Sequence, residues 1–348
     1  MHKGIAGSLV VPIASFFLAI VVSGLIMAVC GYNPFSAYGI IIEGALGSFR
    51  GIGNSLVQAT PLIITGLAYM IAKKATMINL GVEGQLYIGA MAAALVGMTD
   101  LHVSSAMHII LAIAAAMMIG GLAGLFIGYL KVQFGSNEVI TTTMTNFILI
   151  NFTSYLANYP LKAEGATAQT KRMLDSALLP KIVAGSQLTW AFVIAVACAF
   201  VVKVFIDRTK VGLEIKCVGL NLPASETAGI SVKRVMMLAM FLSGAVAGLA
   251  GALQVMSVNR RFVAGFSPGY GFSGISVAAL ANDSALGIIL SGIIFGVLKN
   301  GANYLNMSSR IPTEFVSIVQ AFVVIFVSAP LLIEDIFPFL RRTKEASK

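Results

Sequence analysis

The sequence predicts an all-α polytopic membrane protein with about ten transmembrane crossings, one of them broken, and the trace of an inverted repeat. Three observations carry that prediction. First, 58% of the 348 residues are hydrophobic, 11% are charged and mean hydropathy is +0.91. Soluble domains carry about 25% charged residues, so this chain holds more apolar surface than one aqueous globule of its length could bury. Second, apolar windows long enough to cross about 30 Å of hydrocarbon recur along the whole chain. Third, lysine and arginine gather on alternate connections between those windows.

Taken in order, the windows lie near 8–30, 55–72, 79–99, 107–130, 138–157, 188–206, 235–257, 285–302 and 313–330. The first follows a short basic start at Lys3 and is too long for a signal-peptide core. Its end, MAVC, only resembles a lipidation site, because Val29 stands where a small residue should precede Cys30. Residues 8–30 are therefore a retained span. The window at 79 opens with Asn79, Glu83 and Gln85, polar groups that need a reason in a segment otherwise built for lipid. Residues 158–187 form a long outer loop, and 207–234 form the longest inner connection. Within the latter, PASETAG places Pro223 at a helix start and Gly229 at a stop. A short surface helix there would suit a soluble partner, although a solvated connector would look the same.

Residues 262–283 are apolar but interrupted by Gly265, Pro268, Gly269, Gly271 and Gly274. Such backbone cannot face lipid unsatisfied, so a short half-helix plus irregular chain, buried among other helices, is expected. The charges require this crossing. With it, Lys3, Lys73, Lys74, Lys131, Lys203, Arg208, Lys210, Lys216, Lys233, Arg234, Arg341, Arg342, Lys344 and Lys348 fall inside, fourteen in all. Arg50, Lys162, Lys171, Arg172, Lys181, Arg260, Arg261 and Arg310, eight in all, fall outside, and Lys299 sits at an outer helix end. Both termini are then cytoplasmic. The net charge of +9 reads as a topology signal, not as a nucleic-acid interface, because aromatics are not interleaved with the basic residues.

GLFIGYLK (124–131) and GIIFGVLK (292–299) share two glycines and a lysine at the same spacing, yet run in opposite directions in this topology. That is the mark of an inverted repeat. Close helix packing through GxxxG explains the same residues without one.

Several enzyme patterns fail in context. GFSPGYGFSG (265–274) matches GxSxG, GxGxxG and a rhomboid-like serine motif, but the first two need an α/β setting and a serine nucleophile needs a base. His2, His102 and His108 all lie upstream. No Walker A sequence, HExxH or catalytic carboxylate pair occurs, so any ATP hydrolysis belongs to another chain. Cys30, Cys198 and Cys217 are scattered without disulfide or metal spacing.

Three stretches carry a family likeness. NLGVEGQLYIGA (79–90), NEVITTTMTNF (137–147) and GLNLPASETAGISVKRVMMLAMFLSGAVAGLAGAL (219–253) resemble the signature regions of bacterial ABC-importer permeases of the simple-sugar and branched-chain amino-acid superfamily. The wording from Asn79 to Gln85 and the long outer loop are similar to nucleoside-type permeases that work with basic-membrane-protein lipoproteins. The resemblance spans residues 50–330. It implies that Gly219, Asn221, Ala224, Ser225, Ala228, Gly229 and Ile230 form the coupling helix that docks on a cytoplasmic ABC ATPase, with Ser225 standing for the usual second alanine. It further implies a second permease subunit, a paralogue forming a heterodimer, an external substrate-binding lipoprotein, the bacterial inner membrane, and no cofactor or metal.

Asn79 then has two readings. It is a natural N-cap for its span, with Glu83 at the positive end of the helix dipole near Lys73 and Lys74. Alternatively the polar groups face a wet cavity, as ionisable groups in membranes usually do. The candidate substrate pathway comprises Asn79, Glu83, Gln85, Thr142, Asn146 and Asn151, the pair 142 and 146 sharing one helical face. A sugar or branched-chain amino-acid permease is the alternative within the class. An ion-coupled secondary transporter is the alternative outside it, disfavoured because Glu83 and Glu138 sit at helix ends.

Overall fold

A computed structural model describes residues 5–183, 185–309 and 311–328. The basic tail at 341–348, invoked for the topology, lies outside the described residues. The chain is an all-α multi-pass membrane protein. Its helices are α1 (Ile5–Val29), α2 (Pro34–Leu46), α3 (Phe49–Lys73), α4 (Val82–Met98), α5 (Ser105–Phe134), α6 (Glu138–Asn158), α7 (Trp190–Arg208), α8 (Lys210–Leu220), α9 (Leu222–Thr227), α10 (Val232–Gln254), α11 (Tyr270–Leu280), α12 (Ala285–Ser309) and α13 (Glu314–Ser328). Among the described residues no strand forms; Gln169 with Val263 and Lys181 with Thr189 make isolated bridges.

Each expected window holds a helix, and the broken segment holds α11 preceded by irregular chain. Five helices, α3, α5, α7, α10 and α12, are long and apolar enough to cross a membrane, and α2, α4 and α11 are shorter apolar helices. Two elements were not foreseen. Helix α2 occupies what reads as a connection; its signal was present in Asn33-Pro34, where Asn33 caps the amides of Phe35 and Ser36 and proline takes the first turn. Helix α8 precedes the expected short helix α9, and Thr209 caps it.

Glycine sets the helix seams. A Cβ on Gly244 of α10 would fall 2.2 Å from the Gly120 carbonyl oxygen of α5, and one on Gly124 would fall 2.2 Å from the Met240 carbonyl. Across the molecule, a Cβ on Gly296 of α12 would lie 2.6 Å from the Ser55 carbonyl oxygen of α3. The glycines of both repeated octapeptides are thus seats for another helix's backbone, α10 for the first and α3 for the second. Backbones this close gain dispersion without needing a hydrophobic effect between helices in lipid.

The two ends of the bundle are distinct. At the lysine end, Lys73 pairs with Asp283, Lys131 with Glu138 and Lys216 with Asp207, all at 2.6 Å. At the opposite end the loop 158–189 pairs with the chain leaving α10. The amides of Thr170, Met173 and Leu179 donate to the carbonyls of Phe262, Arg260 and Met256 at 3.0, 3.0 and 3.1 Å. That loop also reaches the end of α4, where the Leu174 amide donates to the Gly97 carbonyl at 2.8 Å.

Helices α4 and α11 begin inside the bundle. The Asn79 side chain, just before α4, donates to Ser243 Oγ at 2.8 Å, and Ser243 donates to the Ala68 carbonyl at 2.7 Å. Ala68 lies about 7 Å from the lysine end of α3, at 1.5 Å per residue. Thr65 Oγ donates to the Tyr270 carbonyl at 3.0 Å, placing the start of α11 about 12 Å in from that end. From there α11 runs to the lysine end and α4 runs to the opposite end. Their N-termini abut, for a Cβ on Gly271 would fall 2.4 Å from the Glu83 amide nitrogen.

Candidate functional site

The meeting point of α4 and α11 concentrates the polar side chains. Backbone N–H groups at a helix start have no partner in their own helix, and here other helices supply the acceptors. Glu83, 4% exposed, accepts from the Gly271 amide of α11. Asn146 of α6, 1% exposed, accepts from the Gly84 amide of α4. Ser267 Oγ accepts from the Tyr270 amide at 3.1 Å, a capping role for the serine of the false hydrolase motif.

Asn79 is not the N-cap of α4; Gly81 holds that position without a side-chain bond. Asn79 sits two residues earlier and organises the turn into the helix. Its Oδ1 accepts from the Gly81 amide at 3.0 Å and its Nδ2 donates to Gln85 Oε1 at 2.9 Å as well as to Ser243. Gln85 is fully buried, and its Nε2 has no acceptor among the described residues. Thr142 is fully buried and returns its hydroxyl to the Glu138 carbonyl at 2.6 Å. Asn79, Glu83, Gln85 and Asn146 are therefore brought together, with Thr142 one turn from Asn146. Asn151 is not among them. It lies on the exposed face of α6, donating to the Phe147 carbonyl at 2.8 Å.

Beside this cluster lies a group that sequence reasoning missed. Tyr87, Phe262 and Phe266 form an aromatic knot with ring centroids 4.7 to 6.1 Å apart. Tyr270 donates its hydroxyl to Gln58 Oε1 at 2.9 Å, and the Lys299 ammonium sits 4.5 Å from the centre of the Tyr270 ring. Gln58, Tyr270 and Lys299 line a cavity of about 170 Å³ with Ser273, Asn303 and Ser317. A lysine and a glutamine inside apolar helices were the available signal; Lys299 instead reads in sequence as a residue reaching for the membrane surface.

The residues assigned to coupling stand at the lysine end. Gly219 packs under the turn after α3, where a Cβ would fall 2.1 Å from the Lys74 carbonyl oxygen. Asn221 caps α9 by accepting from the Ala224 amide at 3.1 Å. Ser225, 3% exposed, faces inward and donates to the Asn221 carbonyl at 2.8 Å. Ala228 closes the helix, Gly229 adopts a left-handed φ of 81°, and the Ile230 amide returns to the Ser225 carbonyl at 3.0 Å. Ala224, Ala228 and Gly229 are exposed, and Leu220 beside them is 86% exposed. A short, doubly capped helix thus presents small and apolar residues to whatever lies beyond the lysine end. Among the described residues no group of His, Cys, Asp and Glu could hold a metal ion.

The chain is similar to known proteins over most of its length. The family model described as the permease component of the branched-chain amino acid transport system matches residues 51–328. The chain is similar to the guanosine ABC transporter permease protein NupP of Bacillus subtilis, with 35% identity covering 96% of this chain and 97% of the relative. The nucleoside ABC transporter permease protein NupB of Lactococcus lactis is 32% identical, covering 97% and 96%. The glucose ABC transporter permease protein TsgB13 of Haloferax volcanii is 32% identical, covering 90% and 86%. With its all-helical bundle and the match over residues 51–328, the chain belongs to the permease-component family of the branched-chain amino acid transport system, whose members are membrane transport subunits.

Proposed function

We propose that this chain is one permease subunit of an ATP-driven importer that carries nucleosides across a bacterial cytoplasmic membrane. The observation that carries the substrate class is the nearly full-length likeness to permeases named for guanosine and for nucleosides. The glucose permease among the relatives supports a sugar as the second reading.

In this reading both termini and the lysine end face the cytoplasm, following the distribution of basic residues. A cytoplasmic ABC ATPase docks on α9 and its flanks, Gly219 to Ile230, where exposed small residues and Leu220 support a protein contact. A second permease, a paralogue of this one, covers the exposed face of α6, and a binding lipoprotein delivers solute to the opposite end. Asn151 supports the first of these, since an amide exposed on a spanning helix is costly against lipid. The substrate pathway opens between α4 and α6 and is lined by Asn79, Gln85, Thr142 and Asn146. The unpaired Gln85 Nε2 supports a donor held ready there. Glu83 anchors the junction from behind.

The test is uptake into vesicles holding the whole complex. Labelled nucleosides should enter in an ATP-dependent manner and glucose and leucine should not. Saturable uptake of glucose alone would establish the sugar reading instead.

A further inference from the structure

We propose that the cleft between the lysine ends of α3, α7 and α12 binds an anionic phospholipid, its phosphate held by Lys74 and Lys203 and a headgroup hydroxyl by Asp283. The cleft measures about 280 Å³, and Lys74, Lys203, Asp207, Asp283 and Ser284 are among its walls. A buried water occupies about 30 Å³, so the space suits a phosphoglycerol headgroup of about ten heavy atoms.

Charge selects the ligand. Both carboxylates of the cleft are already engaged by lysines outside its lining, Asp283 by Lys73 and Asp207 by Lys216, each at 2.6 Å. Lys74 and Lys203 make no ion pair among the described residues. Asp207 attracts Lys74 and Lys203 as well as Lys216, yet the four lysines face only two carboxylates, so two positive charges remain in excess. The N-terminus of α12, a helix of 25 residues, opens on the same cleft and adds its positive dipole end. Asp283 supplies a further criterion. Its Oδ2 is taken by Lys73, but its Oδ1 is buried with no partner among the described residues. An acceptor left in that position asks for a donor, which a glycerol hydroxyl provides and a choline does not.

The walls continue the argument into the membrane. Phe200, one turn before Lys203 on α7, is 52% exposed, and Leu290, one turn after Leu286 on α12, is 61% exposed, so apolar side chains continue both cleft stripes away from the lysine end. A ligand whose charged head enters here would lay acyl chains on those faces. A free phosphate would leave them bare. The occupant is thus a lipid of the leaflet at the lysine end, and its hold would tie α12 and α7 together beside the turn that supports Gly219.

Binding of short-chain phosphatidylglycerol to the purified full-length chain in neutral detergent tests this, with phosphatidylcholine and inorganic phosphate as comparisons. Lys74→Gln and Lys203→Gln should each weaken phosphatidylglycerol about fivefold, the scale of one basic contact to an anionic lipid surface, and about 25-fold together. Lys162→Gln, at the opposite end, should leave it unchanged. Unliganded melting temperatures identify a variant that has simply lost its fold; either single variant then carries the test. The proposal is overturned if the double variant binds phosphatidylglycerol like the parent, or if phosphatidylcholine or phosphate binds equally well. Retained lipid binding with lost ATPase association would also overturn it, assigning the cleft to the ATPase.

Discussion

Removing the hydrogen-bonding oxygens of Glu83 should destabilise the protein far more than removing its charge, and the amounts can be worked from its surroundings. The carboxylate stands at two helix starts at once, in the first turn of α4 and accepting from the Gly271 amide of α11. An anion at a partly buried helix N-terminus contributes up to about 2 kcal/mol. A charged hydrogen bond exceeds a neutral one by about 1 kcal/mol. Lys299 adds a further attraction from across Tyr270. Against these stands the cost of keeping a carboxylate 4% exposed, several kcal/mol after relaxation. Desolvation is the largest of these influences, so Glu83→Gln, whose amide oxygen still accepts from Gly271, should melt within about 1 kcal/mol of the parent. Glu83→Ala should cost about 3–5 kcal/mol, leaving the Gly271 amide unpaired and a cavity where the side chain stood. Melting of the detergent-solubilised full chain, followed by fluorescence-detected size exclusion, measures both. A Glu83→Gln protein that melts as low as Glu83→Ala would refute the reasoning, since the charge and not the hydrogen bond would then hold the junction.

Four further outcomes follow from named contacts. Gly244→Ala should destabilise by about 1–3 kcal/mol, because its Cβ meets the Gly120 backbone and not a movable side chain, whereas Gly39→Ala, with nothing within 4 Å, should be neutral or slightly stabilising; melting curves compare them. Gly229→Trp should lower ATPase association or substrate-stimulated hydrolysis while insertion persists, and Gly229→Asn, which tolerates left-handed backbone, should retain more coupling than Gly229→Ala; co-purification with the ATPase decides. Single cysteines at Ala166 and Glu226 in a cysteine-free background should label from opposite faces of the membrane, and labelling from one face would sink the topology. Asn146→Ala should slow uptake by up to about tenfold, the worth of a hydrogen bond, without reordering substrates; a changed ranking among several nucleosides would remove Asn146 from the proposed path.

The crossings were legible because apolar length is a one-dimensional property, and lipid tolerates few alternatives to a helix. The broken segment was legible for the same reason, since its glycines and Pro268 forbid a continuous span. What the sequence could not show is depth. Asn79 and Glu83 read as the cytoplasmic start of a crossing, yet the chain after Lys73 turns back inward, burying Ala75 and Met77 before α4 begins. Only the contacts of Ser243, Thr65 and Gly271, far away in sequence, fix that depth. Helical spacing did place Thr142 and Asn146 together, and it equally excludes Asn151, five residues beyond Asn146, from that face. Lys299 was misjudged because its compensation, the Tyr270 ring and the nearby Glu83, comes from two other helices.

The distribution of hydrogen bonds also indicates where the bundle parts at least cost. Separating α4 from α10 breaks the Asn79–Ser243 bond and pulls apart the glycine seam in which Gly89 meets Gly248. Separating α4 from α11 strips Glu83 from Gly271, a charged bond worth about 1.5–3 kcal/mol. Separating α6 from α4 breaks one neutral bond, Asn146 to Gly84, worth about 0.5–1.5 kcal/mol. The groups it releases are an amide and a backbone N–H, both able to bond a sugar hydroxyl or a base edge. Of these three seams, α4–α6 is therefore the one held by the weakest hydrogen bonding and the one whose opening exposes partners for a polar solute, while Glu83 keeps the two half-helices joined behind it.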